Sequence, residues 1–348
     1  MIAVVLAGGR GLRLWPESRR QRPKQLCKLV GSRSMLDHTL DRLIQAGSSQ
    51  IIIITSDELN ADIADLIKQR PDADIIEILS EPEGKNTAPA VGLVLSKYMH
   101  TMPDEVLGIF PADHHILNPA VFAQSIERAC QAAKADNLVT IGITPQRPET
   151  GFGYIERSKW EISTLPDVFP VDSFLEKPDS ATAAKYMQSG QHLWNAGIYI
   201  GKLSLLAQEF STHLPVVYEK MLQGFEHYLS SYAELPNISL DYAIAEKSNH
   251  MAVVPAEFGW SDLGSWNALA EITPADESGN ICNGQDIILQ NCKDCLVRQL
   301  EKTVVLFGME NLLVVETSDL IFIAPRDKDQ EIKQIVQNLE ILERHDLL

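Results

Sequence analysis

The chain has 348 residues, of which 45% are hydrophobic and 22% charged, and its formal net charge is −17. This composition is ordinary for a globular protein, and so acidic a chain is a poor general partner for nucleic acid. No apolar run reaches the ~18 residues of a membrane span, and the N-terminus lacks the basic region and long apolar run of a signal peptide. We therefore expect a cytoplasmic protein that binds neither nucleic acid nor membranes.

Apolar runs alternate with amphipathic segments through the first part of the chain. They predict strands at 2–7, 50–55, 74–79, 105–110 and 138–143, and helices at 34–46, 57–69, 87–101 and 118–135. Buried strands separated by helices are typical of a parallel sheet that is covered on both faces. We therefore predict an α/β fold with a doubly wound, mostly parallel, Rossmann-like mixed sheet. In such folds ligands bind beyond the carboxyl ends of the strands.

The pattern changes twice farther along the chain. After residue 145 it predicts short strands at 153–156, 170–176 and 193–201 and helices at 180–189, 203–224 and 239–248. From residue 275 it predicts strands at 285–290, 295–299, 303–307, 312–316 and 320–325, and then a helix at 327–344. Because no helices separate these last strands, they indicate a small β-helix-like appendage. We predict one domain over 1–270, divided near residue 145, and a second over 275–348.

The first strand ends in a glycine-rich turn, and basic residues follow it closely. Gly8, Gly9 and Gly11 let the backbone approach a ligand, so that its N–H groups can converge on phosphate oxygens. The spacing fits neither a P-loop nor a dinucleotide fingerprint, since no Lys follows directly and a third spaced glycine is missing. Eight of the 30 Lys and Arg residues lie in the first 33 positions, namely Arg10, Arg13, Arg19, Arg20, Arg22, Lys24, Lys28 and Arg33. We interpret the turn as a triphosphate-binding loop, and a solvated basic loop is the alternative.

Two aspartates are candidate ligands of a hard metal ion. Asp113 follows the fourth predicted strand, at a carboxyl end beside the glycine turn, and Asp262 lies between two tryptophans at 260 and 266. Mg²⁺ typically takes one or two carboxylates together with substrate phosphates. The alternative for each aspartate is a helix N-cap. Asn118 is the better cap for the helix at 118–135, whereas Asp262 taken alone fits a cap before 263–270 equally well.

Three further clusters are typical of a substrate pocket. Gly151 and Tyr154 lie in a strand start that glycines interrupt, where backbone can approach a ligand. Glu176 and Lys177 end a strand with an acid that can bind sugar hydroxyls and a base that can hold a phosphate. Asn195 offers an amide that both donates and accepts hydrogen bonds. Any one of these clusters alone could be an ordinary turn.

Six motifs in order carry a resemblance to a known family. LAGGRGLRLWP with RPKQ, FPADHHI, GFGYIE, FLEKP, WNAGIY and WSDLGSW resemble the mannose-1-phosphate guanylyltransferases (GDP-mannose pyrophosphorylases), within the sugar-1-phosphate nucleotidylyltransferases. The resemblance covers residues 1–270 and continues more weakly from Asn311 to Arg326. It implies an enzyme that converts GTP and α-D-mannose 1-phosphate into GDP-mannose and diphosphate by in-line transfer with Mg²⁺. It also implies a nucleotide-binding half over 1–145 and a sugar-phosphate half over 146–270.

The resemblance also assigns residues. The residues implied in nucleotide binding are Leu6, Ala7, Gly8, Gly9, Gly11, Arg13, Lys24, Glu81, Asn86, Thr87, Ala88 and Asp113. Among these, Arg13, Lys24 and Asp113 would be catalytic, and Glu81 with the segment 86–88 would read guanine and ribose. The residues implied in sugar-phosphate binding are Gly151, Tyr154, Glu176, Lys177, Asn195 and Asp262. Asp113 and Asp262 would hold Mg²⁺, and the appended β element with its terminal helix suggests a homodimer.

Alternatives stay open at this point. The same fold could use UTP, dTTP or CTP with another sugar phosphate, or the chain could be a catalytically silent regulatory paralogue. Bifunctional relatives carry an additional isomerase domain, for which we expect this chain to be too short. The five cysteines include the pair Cys292 and Cys295, which lacks a nearby fourth zinc ligand and is better interpreted as buried or idle thiols.

Overall fold

The computed structural model describes residues 1–9 and 11–348, so Arg10 of the predicted basic turn lies outside the described residues. The chain forms two compact units. The first unit comprises Met1–Gly8, Thr39–Ala112 and Ile116–Trp260, and the second comprises Gly9–His38, Asp113–His115 and Ser261–Leu348. These two units differ from the two predicted domains, a catalytic domain that ends at residue 270 and an appended domain that begins at residue 275. The predicted domain boundaries stay a prediction.

The secondary structure alternates strands and helices in the first two thirds of the chain. The strands are β1 (Ile2–Leu6), β2 (Gln50–Ser56), β3 (Ile76–Glu81), β4 (Val106–Pro111), β5 (His115–Ile116), β6 (Leu138–Ile143), β7 (Tyr154–Arg157), β8 (Phe169–Leu175), β9 (His192–Lys202), β10 (Met251–Ala256), β11 (Trp260–Ser261), β12 (Ile281–Asn283), β13 (Ile287–Gln290), β14 (Leu296–Arg298), β15 (Val304–Phe307), β16 (Leu312–Glu316) and β17 (Ile321–Pro325). The α-helices are α1 (Met35–Gln45), α2 (Asp57–Lys68), α3 (Thr87–Tyr98), α4 (Pro119–Lys134), α5 (Ser180–Ser189), α6 (Leu203–His213), α7 (Pro215–Met221), α8 (Phe225–Ser230), α9 (Trp266–Glu271) and α10 (Ile332–Ile341).

The first unit is built on a nine-stranded mixed sheet in the order β3-β2-β1-β4-β9-β6-β10-β8-β7. β1 pairs in parallel with β2 and β4, whereas β4 pairs antiparallel with β9. The apolar residues of β1 and β2 are buried, as expected for strands that need cover on both faces. The predicted α/β class with a mixed sheet is confirmed. The pairings among β1 to β4 and between β6 and β10 are parallel, whereas every pairing that involves β7, β8 or β9 is antiparallel. Because β1 is central in the sheet, its carboxyl end brings Ala7 and Gly8 to the edge where ligands of such folds bind.

The second unit contains the β-rich C-terminal segment. β12, β14 and β16 pair in parallel, with β17 antiparallel at the end, and β13 pairs in parallel with β15. Successive parallel strands without intervening helices form coils like those of a β-helix, which confirms the predicted β-helix-like appendage. β12 was not predicted, because three residues are too few to show a strand pattern.

The core of the second unit explains why residues 9–38 belong to it. Leu14 and Trp15 are buried in one cluster with Trp266, Leu313 and Ile332. The indole Nε1 of Trp266 donates a hydrogen bond to the carbonyl oxygen of Trp15 over 3.1 Å. The segment that carries Arg13 and Lys24 is therefore fixed by residues from the C-terminal part of the chain.

Several predicted helices differ in detail from the observed ones. The predicted helix 203–224 is divided into α6 and α7 at Pro215, which has no N–H to continue a helix. The predicted helix 239–248 is a single π-helical turn, Asp241–Ala245, and the predicted helix 327–344 starts with a 3-10 turn at Arg326–Glu331 before α10. Among the described residues, the helices are all too short or too polar to cross a bilayer.

Candidate functional site

The glycine turn allows Lys24 to lie directly against its backbone. Gly11 has φ +60°, a conformation that favours glycine, and a Cβ atom there would be 2.4 Å from the Cβ of Lys24. The carbonyl oxygen of Gly11 accepts a hydrogen bond from the hydroxyl of Ser18 over 2.6 Å. Gly11 is therefore required both for the turn itself and for the close approach of the lysine.

Lys24 links the two predicted aspartates. Its side chain is only 6% exposed, and its Nζ lies 2.7 Å from Oδ2 of Asp113. The same Nζ donates a hydrogen bond to the backbone carbonyl oxygen of Asp262. Burial by itself would raise the pKa of the Asp113 carboxyl, but the positive charge of Lys24, with a smaller contribution from His114, holds that pKa below its ordinary value. Asp113 is consequently a carboxylate kept in its charged form.

The pKa of the Asp262 carboxyl is shifted in the opposite direction from that of Asp113, above its ordinary value. Oδ1 of Asp262 accepts a hydrogen bond from the N–H of Gly264 over 3.1 Å. Burial raises the pKa of the Asp262 carboxyl and the negative charge of Asp113 adds to this, and Lys24 only partly offsets both effects. Two carboxylates that repel each other in one place are stabilised by a cation, so this pair is suited to a hard divalent ion.

Neither aspartate caps a helix. The side chain of Asn118 accepts from the N–H of Val121 and caps α4, as predicted. The cap of α9 is Ser265, whose hydroxyl accepts from the N–H of Ala268. The alternative that Asp113 or Asp262 serves as the N-cap of the following helix is therefore excluded, because Asn118 and Ser265 occupy those positions.

A cavity of about 380 Å³ lies within the second unit, and five predicted site residues border it. Its lining residues are Gly11, Leu12, Arg13, Leu14, Lys24, Asp113, His114, Asp262, Gly264 and Lys333. The structure thus brings together Arg13, Lys24, Asp113 and Asp262 from separate motifs. Lys333 was not predicted, since only the packing of α10 in the folded chain brings it to this cavity.

Most other arginines of the basic N-terminal stretch hold the fold together. The ion pairs are Arg19 with Asp319, Arg20 with Glu340, Arg22 with Glu17 and Arg33 with Asp37. In contrast, Arg13 forms no hydrogen bond or ion pair with any residue that the structure describes. The charge of the basic N-terminal stretch is therefore largely neutralised by the protein among the described residues, and Arg13 borders the cavity.

In the first unit, Glu81 lies against the end of β1. A Cβ atom on Gly8 would be 2.5 Å from Oε1 of Glu81, and the hydroxyl of Tyr232 donates to Oε2 over 2.8 Å. Burial raises the pKa of the Glu81 carboxyl, although the bond from Tyr232 opposes this. Leu6 and Ala7 precede Gly8 in β1 and its extension, where the N–H of Ala7 donates to the carbonyl oxygen of Ile54.

The predicted segment 86–88 forms the start of α3, also in the first unit. Asn86 has φ +69°, and its side chain accepts from the N–H of Thr87. The hydroxyl of Thr87 accepts from the N–H of Leu240 over 2.8 Å, and the N–H of Ala88 donates to the carbonyl oxygen of Ile238. These bonds fix the segment to residues 238–240.

Glu176 and Lys177 lie in a cluster of acids in the first unit. Lys177 contacts the carboxylate of Glu176, whose backbone N–H donates to Oε1 of Glu246 over 2.8 Å. Burial raises the pKa of the Glu176 carboxyl, and the charge of Asp241 raises it further. The glycine beside Glu176 is Gly153, where a Cβ atom would be 2.5 Å from Oε2.

Gly151 and Tyr154 are placed differently from Gly153. The N–H of Gly151 donates to Oε1 of Glu149 over 3.0 Å. Tyr154 is buried, and its hydroxyl accepts from the N–H of Glu149 over 3.0 Å. Both residues thus stabilise the turn before β7, and their predicted part in sugar binding stays a prediction.

Asn195 uses its whole carboxamide within the protein. Its Nδ2 donates to the hydroxyl of Tyr199 and to Oδ1 of Asp241, over 2.9 and 3.0 Å. Its Oδ1 accepts from the hydroxyl of Thr140 over 2.8 Å and from the N–H of Gly197 over 3.1 Å. We call Asn195, Tyr199 and Asp241 the amide cluster. Asp241 was missed by the sequence analysis because its position depends on the π-helical turn, which has no distinct sequence pattern.

The five cysteines are free thiols. Cys292 and Cys295 are buried, and their Sγ atoms donate to backbone carbonyl oxygens. Within residues 1–9 and 11–348, His, Cys, Asp and Glu form no group of three or more that could hold a metal ion. A metal ion at Asp113 and Asp262 would therefore take its other ligands from water, from backbone oxygens or from a bound molecule.

Comparisons with known proteins agree on one family. A family described as "Nucleotidyl transferase" matches residues 2–279, and one described as "MannoseP isomerase/GMP-like beta-helix domain" matches residues 285–339. A putative mannose-1-phosphate guanylyltransferase of Vibrio cholerae serotype O1 is 36% identical over 97% of this chain and 74% of its own length. A mannose-1-phosphate guanylyltransferase of Salmonella montevideo is 35% identical over 99% of this chain and 74% of its own length.

A solved structure is similar over nearly the whole chain. The crystal structure described as a mannose-1-phosphate geranyltransferase from Thermus thermophilus has a TM-score of 0.88 and 31% identity. It matches 97% of this chain, and the match spans 99% of the Thermus chain. The arrangement of a mixed sheet followed by β-helix-like coils is therefore shared with a known protein.

Proposed function

The chain belongs to the nucleotidyl transferase family, and from this premise we propose that it is a mannose-1-phosphate guanylyltransferase. It would convert GTP and α-D-mannose 1-phosphate into GDP-mannose and diphosphate. Relatives with this name match almost the whole chain. The observation that carries the chemistry is the cavity in which Lys24 joins Asp113 to the backbone of Asp262, with Arg13 at its edge.

The reaction needs no nucleophile from the protein. A phosphate oxygen of mannose 1-phosphate attacks the α-phosphorus of GTP in line with the leaving group. The new phosphorus–oxygen bond forms as the bond to the β-phosphate oxygen breaks, and the electron pair leaves with diphosphate. The difficulty is electrostatic, because two anions must approach each other while charge grows on the leaving group. Fixed positive groups lower this barrier by orientation and charge stabilisation.

In the second unit, we assign the phosphates to the cavity. The guanidinium of Arg13 forms no hydrogen bond or ion pair with the described residues, although its charge partly opposes the rise in the pKa of Asp262 that burial causes, and its N–H groups are available to phosphate oxygens. The backbone N–H groups of Gly9 and Gly11 belong to the same turn and would bind phosphate oxygens. Lys24, which Asp113 holds in place, would add a further positive charge to the cavity.

Asp113 and Asp262 fit a divalent cation. Both border the cavity, neither caps a helix, and the charge of Asp113 contributes to the raised pKa of Asp262. We therefore propose that these two residues hold Mg²⁺. When bound, Mg²⁺ would neutralise phosphate charge and fix the phosphate geometry.

In the first unit, we assign the base and the sugar to separate clusters. The nucleotide would bind against the backbone of Leu6, Ala7 and Gly8. Its guanine and ribose would contact Glu81 and residues 86–88. Glu176 and Lys177 would bind mannose hydroxyls and the phosphate. Asn195 would act by orienting Asp241, since its own amide is fully bonded within the protein. A cytoplasmic location and a homodimer are further proposals that complete the description.

The proposal is tested with purified protein, Mg²⁺ and a panel of nucleotides. GTP with mannose 1-phosphate should yield GDP-mannose and diphosphate, whereas UTP, dTTP and CTP should release diphosphate at least about tenfold more slowly, the range of discrimination available to a hydrogen-bonding base pocket. Faster turnover with another nucleotide or with glucose 1-phosphate would assign a different member of the family. Absence of turnover with every pair would indicate a regulatory paralogue.

A further inference from the structure

A lysine from the far end of the chain borders the phosphate cavity of the second unit. Lys333 lies in the first turn of α10 and lines the cavity with Arg13, Lys24, Asp113 and Asp262. None of the sequence motifs includes it. The C-terminal helix therefore contributes a charged side chain to the place where the proposed function puts the phosphates.

The position of Lys333 is fixed by the residues around it. Ile332 and Val336 of α10 are buried in the same core cluster as Leu14. α10 packs against the turn Leu12–Leu14, which includes Arg13. Because the helix is anchored on both sides of Lys333, its backbone is fixed beside the cavity, and the exposed side chain can reach the cavity without a change in this core.

The charge of Lys333 is not neutralised by the protein. In the described part of the chain neither Lys333 nor Arg13 takes part in a hydrogen bond or an ion pair. The lysine five positions earlier, Lys328, lies 2.5 Å from Oε1 of Glu331 and is paired. The positive charge of Arg13, followed by burial, lowers the pKa of Lys333, which shows that the two cations repel each other.

The helix position adds to this cost. The first turn of a helix favours acidic side chains because the free N–H groups create partial positive charge there, and a lysine is unfavourable. The first turn of α10 contains no acidic residue, and Glu331, which directly precedes it, pairs with Lys328. Two cations that face one cavity, one of them at a helix N-terminus, are stabilised when a polyanion binds between them.

We propose that Lys333 binds the β- and γ-phosphates of the nucleotide, and therefore also the diphosphate that leaves. This inference rests on the proposed function in so far as the polyanion is a nucleoside triphosphate. Lys24 is already bonded to Asp113 and to the backbone of Asp262. Arg13 and Lys333 also border the cavity and form no hydrogen bond or ion pair with the described residues, so both can bind an external anion there. The β-rich C-terminal part is then a component of the active site through its terminal helix.

Three variants test the proposal. Lys333→Gln removes the charge, Lys333→Arg keeps it, and Lys328→Gln is the matched control outside the cavity. We expect Lys333→Gln to raise the KM for GTP, and the KM for diphosphate in the reverse reaction, by about 10- to 100-fold, as for loss of one charged hydrogen bond. The KM for mannose 1-phosphate should change less than about twofold. Lys333→Arg should restore most of the loss, and Lys328→Gln should equal the wild type.

A binding measurement separates this proposal from the proposed function. Mg²⁺ with diphosphate alone should raise the Tm of the wild type and of Lys328→Gln, and should raise the Tm of Lys333→Gln much less. Without ligand, Lys333→Gln should melt at the same temperature as the wild type or higher, since a repulsion has been removed. If the wild type makes no GDP-mannose but this Tm pattern is found, the proposed function fails and the polyphosphate site stands. Wild-type KM values and Tm shifts in Lys333→Gln, or equal impairment in Lys333→Arg, would overturn the proposal.

Discussion

The phosphate cavity of the second unit and the amide cluster of the first unit both contain polar and acidic side chains, but they differ in how far the protein supplies hydrogen-bond and ion-pair partners for them. In the cavity, Arg13 and Lys333 form no hydrogen bond or ion pair with the described residues. Burial, together with the charge of Asp113, raises the pKa of Asp262, and the charges of Lys24 and Arg13 offset this only in part. In the amide cluster, every donor and acceptor of Asn195 is bonded to another residue of the chain.

The difference separates residues that meet a ligand from residues that position others. A buried or crowded charge without a partner costs free energy in the free protein and is compensated when a ligand binds. A side chain with all its hydrogen bonds made stabilises the fold and orients its neighbours. Substitutions should therefore affect catalysis more than stability in the cavity, and stability more than substrate contact in the amide cluster.

The largest effect is expected at Asp113. Asp113→Ala should lower turnover at least about 10²–10³-fold, the usual loss when one electrostatic contact to the transition state is removed. The variant should remain folded, which circular dichroism checks, because Asp113 is not a helix cap and lies at the cavity. Turnover is measured as GDP-mannose formation in saturating Mg²⁺.

Two further variants control this result. Asp113→Asn keeps the size of the side chain and should be similarly inactive, whereas Asp65→Ala, on the exposed face of α2, should have wild-type turnover. Near wild-type turnover in Asp113→Ala would show that this carboxylate has no part in the mechanism. It would also contradict the assignment of the reaction to this cavity.

Much of the cavity could be predicted because its residues lie in short, local patterns. The glycine turn, Lys24 and the two aspartates each follow a predicted strand or stand in a compact motif, and the folded chain brings them to one cavity. Lys333 could not be predicted, since its helix reaches the turn Leu12–Leu14 only through packing of residues distant in sequence.

The amide cluster also depends on contacts that the sequence does not reveal. Asn195 was predicted to contact the sugar phosphate, but hydrogen-bond saturation of its amide is visible only in the folded chain. Asp241 was missed because a π-helical turn presents it, and the predicted helix 239–248 did not reveal that local geometry. The predicted part of Gly151 in sugar binding stays a prediction, and only the folded chain shows that Gly153 lies against Glu176.

An intermediate effect is expected at Asn195. Asn195→Ala should lower the free energy of unfolding by about 2–3 kcal/mol, because the buried hydroxyl of Thr140 loses its acceptor and Asp241 and Tyr199 each lose a hydrogen bond from the amide. Chemical denaturation at neutral pH measures this change. The KM for mannose 1-phosphate should rise through misplacement of Asp241, while the KM for GTP should stay unchanged.

The control for this prediction is Asn338→Ala on the exposed face of α10, which should change the free energy of unfolding by less than about 0.5 kcal/mol. If Asn195→Ala is as stable as the wild type and only the KM for the sugar phosphate rises, then Asn195 contacts substrate directly and the contrast between the two regions is lost.

The smallest effect is expected at an arginine of the N-terminal stretch that the protein has neutralised. Arg19 binds Asp319 through two contacts of 2.7 Å, and the hydrogen bonds from Arg19 lower the pKa of the Asp319 carboxyl to about 2. Asp319→Asn should lower the free energy of unfolding by about 1 kcal/mol at pH 7, since the pair is partly exposed and screened. Catalysis should be unchanged.

The pH dependence of this variant has a defined sign. Because the pKa of Asp319 is depressed in the folded state, its contribution is fully present above the ordinary aspartate pKa and is lost as the pH falls toward about 2. The difference in unfolding free energy between the wild type and Asp319→Asn should therefore shrink as the pH is lowered from about 5 to about 3. In this range the unfolded chain takes up the proton while Asp319 in the folded protein is still charged. A difference that stays constant over this range would show that the ion pair is not its source.

The structure of a complex with Mg²⁺ and a non-hydrolysable GTP analogue tests the assignment of the cavity most directly. We expect the β- and γ-phosphates between Arg13 and Lys333, with the metal ion on Asp113 and Asp262. Phosphates bound elsewhere on the chain, with these four side chains unchanged and out of contact with the nucleotide, would contradict it.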